Sequence, residues 1–241
     1  MKKELAKGLC IAHRGLHDNE NGVPENSMLA FQRAIENNIP IEFDLHILKD
    51  NQIVVFHDDN LKRMTGYDKD IKRCSYGELR DLKLLETDET IPLFKDVLEL
   101  VDGKVLINVE FKCDNKAGIL ERKACEFLDN YQGKFMVQSF NPLSVKWFKD
   151  NRSHFIRGQL SYDFRDMKMN IIKRFILRKM LLNPLTKPDF ISYDIHSISG
   201  KQINKIKSKG IRLFLWPIRT QEDLELAKTY GDSFIYEKIN I

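Results

Sequence analysis

The chain has 241 residues, 42% of them hydrophobic and 31% charged, enough for one large core and close to the roughly 250 residues of an eight-stranded α/β barrel. Its net charge of +4 is small and its Lys and Arg residues are spread along the chain, which argues against nucleic acid as a partner; no run approaches about 18 apolar residues, which argues against a membrane span. Cys10, Cys74, Cys113 and Cys125 show no Cys-x-x-Cys spacing, and residues 1–10 hold no apolar stretch long enough for a secretory leader, so the chain reads as cytoplasmic with reduced thiols.

In chain order, the apolar run 9–12 stops abruptly at His13-Arg14-Gly15, the pattern of a barrel strand reaching its C-terminal mouth. Pro24-Glu25-Asn26-Ser27 then precedes Met28, Phe31, Ala34 and Ile35 at helical spacing, with Asn26 or Ser27 as the N-cap. A strand follows over 41–48. Its alternation puts Glu42, Asp44 and His46 on one face and Phe43, Leu45 and Ile47 on the other. Two carboxylates one strand repeat apart can chelate a hard divalent cation. Taken alone, the same pattern also suits an edge strand whose acids face water.

The apolar run 53–56 ends in His57-Asp58-Asp59 and reads as a hairpin extension. Residues 58–90 are polar and form a small cap, with one short helix over 76–85. A helix over 92–100 leads to the strand 105–112, whose inner set is Leu106, Asn108, Glu110 and Lys112. Helices over 116–131 and 142–150 then alternate with strands over 135–140 and 155–160. A basic and apolar helix over 167–182 precedes the strand 190–194. Two readings of that helix stay open: a barrel helix packing its apolar face, or a basic amphipathic surface for anionic lipid. A helix over 199–209, a strand over 211–218, a helix from Thr220 to Tyr230 and a strand over 233–236 complete the chain. With no internal repeat or linker, 1–241 is read as one domain. Eight strands alternating with helices predict a TIM (β/α)8 barrel with a small insertion after the second strand.

In such a barrel the strand ends meet at one mouth. Glu42, Asp44 and Glu110 would there supply much of a Mg²⁺ or Ca²⁺ site. His13 and His57 would stand beside it as general acid and base, and Arg14 and Lys112 would hold an anion. A metal, two acid–base groups and two cations together point to chemistry on a phosphodiester.

At these residues the sequence resembles the glycerophosphodiester phosphodiesterase family. The matching motifs are His-Arg-Gly at 13–15, Pro-Glu-Asn-Ser at 24–27, Glu-Phe-Asp-Leu-His at 42–46, Lys-Asp at 49–50, His-Asp at 57–58 and Asn-Val-Glu-Phe-Lys at 108–112. Weaker matches are Gln-Ser-Phe at 138–140 and Trp216. The resemblance implies a TIM barrel with a small insertion after the second strand. It implies metal binding by Glu42, Asp44 and Glu110, and an acid–base pair of His13 and His57. It also implies phosphate or substrate contact by Arg14, Lys112, Glu25 and Trp216. The implied reaction is hydrolysis of a small glycerophosphodiester to glycerol phosphate and an alcohol. The alternatives are a phospholipase D or lysophospholipase activity on membrane lipid, with peripheral contact through 167–182, and an inactive ligand-binding barrel. Two departures fall at the mouth: Pro217-Ile218-Arg219 where the family commonly has Thr-Val-Asn, and Tyr236-Glu237-Lys238 where it commonly has Thr-Asp-x-Pro.

Overall fold

The barrel begins with β1 (Cys10–Ala12), three residues long, and helix α1 (Met28–Glu36) follows it. These elements come from a computed structural model that describes residues 7–113 and 116–239, so much of the 1–10 reading lies outside the described residues. Ser27 caps α1: its hydroxyl accepts from the Ala30 N–H at 3.1 Å and donates to the Pro24 carbonyl at 2.6 Å. Strand β2 (Ile41–Ile47) is buried along nearly its whole length. Short β1 pairs with the lower end of one β2 edge, at Ala12 and Ile41. The upper end of that edge is taken by antiparallel β3 (Ile53–Val55), paired at Leu45, His46 and Ile47. The hairpin thus fills the edge that β1 is too short to cover, and it returns the chain to the mouth at His57.

The insertion carries two one-turn helices, α2 (Lys62–Thr65) and α3 (Tyr76–Leu79), the second shorter than its sequence pattern predicts. Leu61, Met64, Ile71, Leu79 and Leu84 pack with Val54 and Phe56, a cluster of its own on the outer side of β3. Helix α4 (Phe94–Val101) and strand β4 (Ile107–Phe111) resume the alternation. Next come α5 (Ile119–Leu128), β5 (Phe135–Ser139), α6 (Pro142–Asn151) and β6 (Arg157–Ser161). Helix α7 (Ile171–Arg178) and the single turn α8 (Asn183–Thr186) precede β7 (Phe190–Asp194). The chain closes with α9 (Gly200–Lys207), β8 (Arg212–Ile218), α10 (Gln221–Tyr230) and β9 (Ser233–Tyr236).

Eight parallel strands close because β9 pairs with β1 and β1 with β2. The alternation read from the sequence sorts correctly in and out. Phe43, Leu45, Ile107, Val109 and Phe111 face the helices, whereas Ile11, Leu106, Met136, Phe190, Phe214 and Ile235 fill the barrel. Gly158 clears room for this filling, since a Cβ there would stand 2.2 Å from the Phe190 ring.

One predicted element changes. The helix over 167–182 is cut to Ile171–Arg178, because Asn170 caps it late, its Oδ1 accepting from the Lys173 N–H at 2.7 Å, and Met180 takes a left-handed φ of 51°. It also buries none of its residues, while the other helices of eight residues or more each bury at least three. Of the apolar residues that a barrel helix would pack, Phe175 is exposed while Ile176 and Leu177 are half-buried, and polar groups of the last turn also hold the helix to the barrel. Ser161 Oγ donates to the Leu177 carbonyl at 3.1 Å and Tyr193 Oη to the Arg178 carbonyl at 3.2 Å. Among the described residues no helix is long and apolar enough to cross a membrane.

Candidate active site

Adjacent strands bring the carboxylates together. Asp44 on β2 is registered against Glu110 on β4, which is registered against Gln138 on β5. Glu42, one repeat below Asp44, points the same way, and all three acids are buried. One carboxylate oxygen from each lies within 4.8 Å of the others.

The cations predicted for an anion are here too. Lys112 Nζ stands 3.0 Å from Asp44 Oδ1 and 2.6 Å from Glu110 Oε1, at angles that leave both oxygens outside hydrogen-bond geometry. Arg14 Nη1 donates to Glu25 Oε1 at 2.6 Å, while its buried Nε, 3.7 Å from Asp44 Oδ2, has no hydrogen-bond partner among the described residues. Burial and the neighbouring Asp44 and Glu110 charges push Glu42 well above the usual carboxylate range. Burial also raises Asp44, but Lys112, His57 and Arg14 hold it well below that range. Glu110 is raised, by burial and by Asp44 against the opposing pull of Lys112. An all-oxygen, acidic donor set with ill-satisfied oxygens fits a hard divalent cation.

The loop motifs have local causes. Gly15 takes φ 82°, and a Cβ there would stand 2.9 Å from Ala30 Cβ, so only glycine lets the loop rest on α1. That contact sets His13 and Arg14 over the mouth. Asn26 Nδ2 donates to Asp44 Oδ2 at 2.8 Å, and the Asn26 N–H donates to the Arg14 carbonyl at 2.9 Å. The Pro-Glu-Asn-Ser segment therefore holds Arg14 through Glu25, Asp44 through Asn26 and α1 through Ser27.

Both predicted histidines reach the site, each with a carboxylate and an arginine behind it. His13 Nδ1 is 2.6 Å from Glu237 Oε2, and Arg219 Nε donates to Glu237 Oε1. His57 Nδ1 is 2.6 Å from Asp58 Oδ1, and Arg63 Nε donates to Asp58 Oδ2 at 2.6 Å. In both cases the bonded Nδ1 leaves Nε2 available; His13 Nε2 is 4.0 Å from Glu42 Oε2. Burial and Arg14 lower His13 to about 4 against the pull of Glu237. Arg63 also bonds both Glu25 oxygens, at 2.7 and 3.0 Å, which ties the insertion to the Pro-Glu-Asn-Ser loop and holds Glu25 near 2 despite its burial. His17, read as a loop residue, is buried with Nε2 3.7 Å from Glu237 Oε2. His46 supports the backbone beneath His57, its Nε2 lying 3.2 Å from the His57 carbonyl oxygen. Trp216 lies at the mouth, its ring 5.6 Å from Phe140, which is itself 6.0 Å from Lys112 Nζ.

The sequence reading gave no role in the site to Asn26, Asp58, Arg63, Arg219 or Glu237. Asp58 is visible as the second residue of the His-Asp motif at 57–58, beside His57. Arg219 and Glu237 are the two mouth departures, and their opposite charges at successive strand ends are the signal that would have paired them. Nothing in the insertion marks Arg63.

A sequence profile described as the Glycerophosphoryl diester phosphodiesterase family matches residues 13–240. The chain belongs to that family. Its members are phosphoric diester hydrolases, and the barrel mouth is where such a fold carries its chemistry. A glycerophosphodiester phosphodiesterase of Caldanaerobacter subterraneus is 29% identical over 238 residues, covering 91% of this chain and 89% of that protein. Lysophospholipase D GDPD1 of Homo sapiens is 36% identical over 267 residues, covering 95% of this chain and 83% of that protein. Among solved structures, an Oleispira antarctica phosphodiesterase in complex with sn-glycerol-3-phosphate superposes with a TM-score of 0.81 at 21% identity, covering 97% of this chain and 94% of that one.

Proposed function

We propose that this family member hydrolyses glycerophosphodiesters to glycerol phosphate and an alcohol, with Mg²⁺ or Ca²⁺ held by Glu42, Asp44 and Glu110. The observation that carries the reading is the buried carboxylate trio, within 4.8 Å, set beside two histidines that each have a carboxylate on Nδ1. When bound, the cation supplies charge neutralisation and polarisation of a phosphoryl oxygen.

The chain's own groups do the rest. Arg14 and Lys112 take the remaining phosphate oxygens, Arg14 through its unpartnered Nε. Glu25 holds Arg14 in place, and Trp216 with Phe140 walls the glycerol side. His13 is neutral at physiological pH, since burial and Arg14 lower it to about 4, so its Nε2 can accept a proton. It takes that proton from the attacking hydroxyl, either water or the substrate's own neighbouring glycerol hydroxyl, as the new O–P bond forms. His57 donates a proton from Nε2 to the departing alcohol oxygen as the P–O bond breaks. Internal attack gains the effective molarity of an intramolecular reaction and gives a cyclic phosphate, which water then opens as one ring P–O bond breaks, His57 taking the water's proton and His13 returning its proton to the departing ring oxygen. The names of the Caldanaerobacter relative and of the Oleispira product complex support this substrate and product. The complete set of Glu42, Asp44, Glu110, His13 and His57 speaks against an inactive barrel.

A second reading, release of a head group from a lysophospholipid, is favoured by one feature. An apolar cleft of about 820 Å³ opens beside Lys112, lined by Cys113, Phe140, Leu143, Phe164 and Met167 among others. That volume lies within the roughly 300–1,000 Å³ of ligand sites. The human relative's name points the same way. Product analysis on glycerophosphocholine, glycerophosphoglycerol and lysophosphatidylcholine tests both, after chelation and with Mg²⁺ or Ca²⁺ restored. Release of glycerol phosphate that requires added cation supports the first reading. Lysophosphatidate from the lysolipid, in excess over any soluble product, supports the second. No cation-dependent hydrolysis of any of the three overturns both.

A further inference from the structure

Helix α7 sits at the mouth in an unusual state. Ile171, Ile172 and Phe175 are 78%, 69% and 56% exposed, and they fall on one side of the helix at 100° per residue. Lys173 flanks that apolar side on one edge, Arg174 and Arg178 on the other. From 167 to 187 the chain has six Lys or Arg and no Asp or Glu. No ion pair is formed by Lys168, Lys173, Arg174, Arg178, Lys179 or Lys187 among the described residues. The exposed apolar surface continues to either side with Met167, Leu181 and Leu185 at 47%, 45% and 46%. Elsewhere in the barrel a helix with this much apolar sequence turns it inward. Here Ile172 and Ile176 also line a cleft of about 820 Å³, and Phe175 one of about 410 Å³.

We infer that the outward face of α7 docks on an anionic lipid bilayer. An apolar face rimmed by unpaired cations is the arrangement that lies in the interfacial plane, with the side chains entering the acyl boundary and the cations meeting lipid phosphates. A second copy of the chain is disfavoured as the occupant. A twofold contact through this face would set Lys173, Arg174 and Arg178 against the same residues, and like charges brought together repel. An acidic protein groove would satisfy the cations, but the apolar surface runs past α7 on both sides, broader than one helix face offers to a groove. Docking here places the mouth and its larger cleft at the membrane surface, because Ile172, Ile176 and Phe140 line that cleft together.

The measurement is flotation of the intact protein with vesicles of phosphatidylglycerol and phosphatidylcholine, or of phosphatidylcholine alone, at low and physiological salt. It reads binding and not turnover, so its failure is separate from failure of the proposed activity. Binding to the anionic vesicles is expected, weaker at higher salt and weaker on the neutral vesicles. In Lys168→Glu, Lys173→Glu, Arg174→Glu the loss should be about fivefold for each cation removed, and greater with the reversal of sign. Ile171→Ser, Phe175→Ser should lose binding while melting as the parent does, since both side chains already face out. Absence of binding to anionic vesicles at low salt overturns the inference. So does binding unaffected by either variant, or sedimentation equilibrium showing a parent dimer that Phe175→Ser converts to monomer.

Discussion

Glu42→Gln separates the two things the carboxylate trio does. Glu42 is the member without a Lys or Arg side chain at its oxygens. It accepts from the Arg14 backbone N–H at 3.1 Å and the Gln138 amide at 3.4 Å, and the nearest imidazole nitrogen is at 4.0 Å. With ligand atoms within 4.8 Å, each carboxylate pair repels by about 3–4 kcal/mol at an effective dielectric of 20. That repulsion and the burial raise Glu42 above its ordinary 4.5 in the folded chain. The sign follows from linkage. A carboxyl with a raised folded value keeps its full contribution below 4.5, and that contribution is lost as pH rises from there through the folded value. In chelated protein, Gln removes the penalty and keeps the acceptor for Arg14. The variant should therefore match the parent near pH 4.5 and gain on it as pH rises, by up to about 1.4 kcal/mol per pH unit. Cation reverses the order: at 100 times its dissociation constant it should stabilise the parent by about 2.7 kcal/mol and the variant far less. Urea unfolding from pH 5 to 8.5, with chelator and with Mg²⁺ or Ca²⁺, measures both halves. A chelated variant no more stable than the parent at pH 8, or one stabilised by cation as strongly as the parent, refutes the reasoning.

His13→Ala and His57→Ala should each lower kcat by about 10²–10⁴-fold while leaving cation-induced stabilisation intact, because neither is placed among the ligands; steady-state kinetics beside a thermal melt with cation decides it. Glu237→Gln removes the charge that supports protonated His13, so His13 should titrate lower still and the acid limb of kcat/KM should move to lower pH, with reduced kcat; an unmoved limb counts against Glu237 as the positioning residue. Gly15→Ala meets Ala30 Cβ at 2.9 Å from a φ of 82° and should cost about 2–4 kcal/mol in denaturant unfolding, with Arg14-dependent substrate affinity falling too; a variant as stable as the parent would show that the loop can move off α1.

That Glu42, Asp44, Glu110 and Lys112 share inward strand faces was legible from sequence because strand alternation has a fixed period of two, and His13, Arg14 and His57 were placed beside them as the ends of apolar runs. Once the barrel was recognised, every C-terminal strand end had to meet at one mouth. The hairpin of β3 was legible for the same reason, and so were most helix and strand bounds. What sequence could not hold was the pairing of groups far apart in the chain. Glu237 reaches His13 across 224 positions, and Arg63 reaches Glu25 across 38 from an insertion with no regular period. Such contacts depend on where loops travel in three dimensions, which local periodicity does not encode. The α7 stretch shows the same limit from the other side. Its pattern of apolar and basic residues fixed an amphipathic helix, but an amphipathic helix can turn its apolar side to a core or to a bilayer. Only the tertiary structure showed that Ile171, Ile172 and Phe175 stay outside the barrel core, with the last turn tied to Ser161 and Tyr193 through its carbonyls.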